Sequence, residues 1–76
     1  MNIKEVFGKK LKHLRQEKSM TQAELASLAN VSTQMISSYE KCAKEPTLTN
    51  AASIASALNV SLAFLIDEAD HNSNCD

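Results

Sequence analysis

Thr21-Gln22-Ala23-Glu24 has the form of a capping box, in which a hydroxyl and a carboxylate three residues apart satisfy each other's backbone N–H groups at a helix start. Ser32 supplies a second N-cap. Between them Asn30, the residue type that most readily accepts a left-handed backbone after glycine, stands where the chain must leave the first helix. Hydrophobic staples flank both starts, Met20 with Leu25 and Val31 with Ile36. The stretch from Met20 to Lys41 therefore folds as two short helices joined at a tight turn, and the rest of the chain must be built around that corner. In the first of these helices Leu25, Leu28 and Ala29 recur at i, i+3, i+4 and predict one buried stripe.

The second helix, about Ser32 to Lys41, points Ile36 and Tyr39 one way. Thr33, Gln34, Ser37, Ser38 and Lys41 fall on the other side, uncharged until the last turn. An ordinary solvated face would carry Glu and Lys, whereas hydroxyls and amides are the donors and acceptors that match base edges. That chemistry alone leaves a DNA-reading face and a plain polar surface both open.

Ile3, Phe7, Leu11 and Leu14 define an amphipathic first helix ending near Lys18-Ser19, with lysines on its other face. Gly8 sits inside it, either because another helix comes close or because the position tolerates the cost of about 1 kcal/mol relative to Ala. Thr47 caps a fourth helix with Leu48, Ala51, Ile54, Ala55 and Leu58 as its buried stripe, after a connector broken by Pro46. Ser61 caps a short fifth helix, stapled by Val60 and Leu65. There Leu62, Phe64, Leu65 and Ile66 are more apolar residues than one face can bury. No strand pattern competes, so the class is all-α.

With 76 residues the chain holds one domain, expected over residues 1–67, and buries only about 60% of its unfolded surface. The polar run 68–76 reads as a disordered tail. The net charge of −1 hides an asymmetry: residues 1–44 hold all eight basic residues and four acids, while residues 45–76 hold five acids and no base. The basic part contains the candidate reader, as a nucleic-acid binder requires. No run can span a membrane and the start MNIKEVFGKK lacks a signal-peptide core, so the expected location is cytoplasmic. Cys42 and Cys75 are too isolated for a disulfide framework or a metal site and are expected as reduced thiols. His13 and His71 stand alone, and the serines occupy caps and exposed faces, so no catalytic residue, cofactor or small-molecule ligand is expected.

Gln22-Ala23-Glu24-Leu25-Ala26, Val31-Ser32, Ile36-Ser37 and Tyr39-Glu40 resemble the helix-turn-helix family of phage repressor, Cro and XRE type. So do Pro46-Thr47-Leu48, Ile54-Ala55, Ala57-Leu58-Asn59-Val60-Ser61-Leu62 and Leu65. The resemblance implies a compact five-helix bundle whose third helix lies in the major groove of double-stranded DNA. It implies base-edge contacts from Thr33, Gln34, Ser37 and Ser38, phosphate contacts from Gln22, Ser32, Lys41 and Lys44, and an ion pair between Arg15 and Glu40. The implied function is a transcriptional repressor binding a palindromic operator as a homodimer, weak without DNA, with Leu62, Phe64 and Ile66 at the dimer interface. A second function on the same fold is a protein-interaction module for an antirepressor, a toxin or a polymerase partner. The chain departs from the family in having Asn30 and Cys42 where glycine is common; at Cys42 a positive φ would be costly.

Overall fold

Five side chains start the five helices of the described residues. In the computed structural model these are α1 (Ile3–Glu17), α2 (Gln22–Ala29), α3 (Thr33–Glu40), α4 (Leu48–Leu58) and α5 (Leu62–Ile66). Asn2, Thr21, Ser32, Thr47 and Ser61 each accept the backbone N–H three residues on. At Thr21 the capping box is complete, with Thr21 N donating to Glu24 Oε1 at 2.8 Å and Glu24 N to Thr21 Oγ1 at 3.0 Å. The structure describes residues 2–67; the expected tail, with His71 and Cys75, lies outside them.

α1 to α4 also end alike. The chain leaves them through Ser19, Asn30, Cys42 and Asn59, with φ of 56°, 60°, 61° and 61°. One residue further on, the N–H of Met20, Val31, Ala43 and Val60 returns to the carbonyl of Arg15, Ala26, Ser38 and Ala55. These are Schellman closures, normally made with glycine. The single glycine of the chain is placed elsewhere. Cys42 thus carries the strained backbone that its position threatened, at about 1–2 kcal/mol for a side chain in that region.

Gly8 resolves toward close packing. A methyl there would run into the Tyr39 carbonyl and lie 2.9 Å from Cys42 Sγ, so α1 and α3 approach at a point where only hydrogen fits. α1 packs on α3 and α5, and α2 on α3 and α4. Phe7, Leu11 and Leu14 meet Leu25, Ile36, Tyr39, Ile54, Leu58 and Leu65 in one core. Phe7 and Tyr39 stand edge to face, 5.6 Å between centroids at 88°.

Two expected core residues are outside. Leu28 is 64% exposed; the buried face of α2 is Leu25, Ala26 and Ala29, and at 100° per residue Leu28 lies well round from its centre. Leu48 is 75% exposed because it is the first residue of α4, ahead of the covered stretch from Ala51 to Leu58. Of the paired small residues in α4, Ala51 faces the core and Ala52 faces out. In α5 Leu65 is buried, Leu62 and Ile66 pack partly on the core, and Phe64 remains 38% exposed.

Candidate nucleic-acid interface

α3 is held from behind and bare in front. Ile36 and Tyr39 are buried, and Asn50 of α4 donates its amide to the Tyr39 hydroxyl at 3.0 Å, which ties the start of α4 to the last turn of α3. Met35 packs partly on the core, so it is a border residue. On the open side Thr33, Gln34 and Lys41 are exposed, Ser37 and Ser38 are half-buried, and Lys44 is exposed just beyond. The first-turn residues therefore reach furthest. Ser32 uses its oxygen to accept Met35 N at 3.0 Å and stays exposed, leaving its hydroxyl proton free to turn outward.

The last turn of α3 is fixed by a carboxylate with three donors. Arg15 Nε donates to Glu40 Oε2 at 2.6 Å and Arg15 Nη2 to Glu40 Oε1 at 3.0 Å, a bidentate pair. Gln22 Nε2 donates to the same Oε1 at 2.9 Å. Arg15 Nη1 reaches the Met20 carbonyl at 2.7 Å, immediately before the α2 cap. The side chains are 13% and 4% exposed. The hydrogen bond to Glu40, with the attraction of its charge, raises the Arg15 pKa against the lowering effect of burial. One carboxylate thus locks α1, the start of α2 and the end of α3 together.

Gln22, expected to face phosphate, is found half-buried with an amide N–H on Glu40. That bond orients the amide, whose second N–H remains a donor. Sequence reading missed the partners of Tyr39 and Gln22 because both lie far along the chain. It also missed Asn2 as the α1 cap, although Asn2 followed three residues later by Glu5 is the usual pairing of an N-cap with a first-turn acid.

Two short capped helices at a tight turn, the second presenting a hydroxyl and amide face on a braced frame, define a helix-turn-helix DNA-binding protein. Residues 11–65 match the helix-turn-helix family model. The chain is 33% identical over 70 residues to the uncharacterized HTH-type transcriptional regulator y4dJ of Sinorhizobium fredii, covering 92% of this chain and 91% of that one. It is 30% identical over 61 residues to the immunity repressor protein of Bacillus phage phi105, covering 80% of this chain and 42% of the repressor. Among solved structures, the restriction-modification controller protein C.AhdI from Aeromonas hydrophila superimposes with a TM-score of 0.76 at 28% identity, over 79% of this chain and 91% of that one. The chain belongs to the helix-turn-helix family of transcriptional regulators of XRE and repressor type. Among the described residues no helix is long and apolar enough to cross a membrane.

Proposed function

We propose that the protein is a sequence-specific repressor acting in the cytoplasm, which binds a palindromic operator as a twofold dimer with α3 in the major groove. The observation that carries this reading is the face of α3 itself: Thr33, Gln34, Ser37 and Ser38 stand together without an acid among them, on a helix whose other side is braced by Glu40, Arg15 and Gln22. Gln34 is the principal base reader, since an exposed amide bonds two adjacent base-edge atoms at once. Ser32, Lys41, Lys44 and the second N–H of Gln22 take phosphates and set the register. Phe64, Leu62 and Ile66 of α5 meet their counterparts in a second copy, spacing the two α3 helices about 34 Å apart, one turn of DNA. That contact is small, so the free protein dissociates readily and the operator assembles the dimer.

The test begins with fragments selected from random DNA. On the selected operator Gln34→Ala loses about 1–3 kcal/mol relative to its binding of random duplex. Lys44→Ala weakens both and makes the log–log salt slope shallower by about 0.9 for each protomer bound. Equal losses on selected and random DNA for Gln34→Ala would remove Gln34 from the reading face.

A further inference from the structure

Helix α5 ends differently from the other four helices of the described residues. Asp67 follows it with φ −87° and ψ 108°, an extended backbone that makes no left-handed closure. A side chain from α1 closes it instead. The Lys10 ammonium donates to the Phe64 carbonyl at 2.8 Å and to the Asp67 carbonyl, and it stands 4.6 Å from the centroid of the Phe64 ring. A cation at the C-terminal carbonyls is favoured by the helix dipole and by charge-assisted hydrogen bonds, and the ring adds its own attraction. Lys10 is half-buried, whereas Lys9 and Lys12 beside it are exposed. One lysine of the basic face of α1 is thus turned away from that face and into the frame.

Lys10 holds the backbone and the ring of the same residue. Phe64 is also the large side chain of α5 that the core leaves 38% exposed, and Lys10 standing over its ring adds to what partial burial does to hold its orientation. An exposed phenylalanine presented in one orientation before association spares the complex the cost of ordering it. We infer that Lys10 is the positioning residue of the α5 self-association surface, fixing the end of α5 and the Phe64 ring for a second copy of this chain, and that it is not a phosphate contact. The inference rests on the α5 dimer proposed above.

The experiment titrates the full chain and its Lys10→Met, Lys10→Arg and Phe64→Ala variants on half and full operators, with proton NMR of the Lys10 side chain. Lys10→Met keeps the stem and removes the charge. It leaves half-site affinity and salt slope at the parent values and lowers full-site cooperativity by about tenfold, the scale of one charged hydrogen bond. Lys10→Arg restores most of the cooperativity. The ring shifts the Lys10 ε-methylene protons upfield in the parent, and Phe64→Ala abolishes that shift. A weaker half-site affinity with a shallower slope in Lys10→Met would make Lys10 a phosphate ligand and overturn the assignment. Unchanged cooperativity in Lys10→Met, beside a loss in Phe64→Ala, would overturn it while leaving the dimer in place. Full cooperativity in Phe64→Ala would bring down the α5 dimer and the role of Lys10 with it.

Discussion

Arg15 holds Glu40 through two parallel bonds of 2.6 and 3.0 Å, so the first helix of the chain carries the last turn of the third. The pair is nearly dry at the carboxylate and wetter at the guanidinium, 4% against 13% exposed. Removing either partner leaves the other charge in a site built for two.

Arg15→Ala and Glu40→Ala should therefore each lower the unfolding free energy by about 3 kcal/mol, the lower end for a broken buried pair. The double variant should lose less than the sum, with a coupling of roughly 1–3 kcal/mol in urea unfolding. Strict additivity would mean that the two side chains do not sense each other. Glu40→Gln is the gentler probe, because it keeps a hydrogen-bonding oxygen for Gln22 while removing the charge.

Gly8→Ala puts a methyl against the Tyr39 carbonyl and Cys42 Sγ. Overpacking of this kind costs about 1–3 kcal/mol. Because the carbonyl belongs to α3, the helix has to tilt, so operator affinity should fall with stability. A thermal midpoint equal to that of the parent would show that α1 and α3 can part without penalty.

Cys42→Gly relieves a side chain from φ 61° and should stabilise the fold by up to about 1 kcal/mol, after the extra freedom glycine gains in the unfolded chain. Ser19→Gly, at φ 56°, should behave alike. In a Gly8→Ala background Cys42→Gly should recover part of the loss only, since the Tyr39 carbonyl stays where it was. A lower chemical-denaturation midpoint for Cys42→Gly alone would show that the thiol contributes more packing than its backbone costs.

Leu28→Gln and Leu48→Gln should change stability by less than about 0.5 kcal/mol, as both side chains are exposed. Core positions would lose several times that.

These last two residues mark where the sequence stopped being legible. Caps and staples are local, so Thr21, Ser32, Thr47 and Ser61 could be placed without knowing any neighbour, and all four accept the expected N–H. A stripe at helical spacing fixes a face only to within a residue or so, and which edge of it is covered depends on where the other helices arrive. Leu28 and Leu48 fall on uncovered edges. Gly8 stayed ambiguous for the same reason, its partners Tyr39 and Cys42 being tertiary. On the candidate interface, the polar face of α3 was readable from periodicity. The brace formed by Gln22 on Glu40 was not, because nothing in the spacing of two polar residues in different helices reports their contact.

Between α2 and α3 stand only Asn30, Val31 and Ser32, with Val31 N bonded back to Ala26 and Ser32 already capping the next helix. The corner is thus made by backbone closure and a hydroxyl, and none of Thr33, Gln34, Ser37 or Ser38 lends a side chain to it. If α3 reads DNA as proposed, direction and vocabulary are inherited separately: substitutions on its exposed face change which DNA is preferred without altering the angle at which the helix is delivered. On that reading a lineage built on this scaffold would acquire new operators by single replacements while its frame stays as it is.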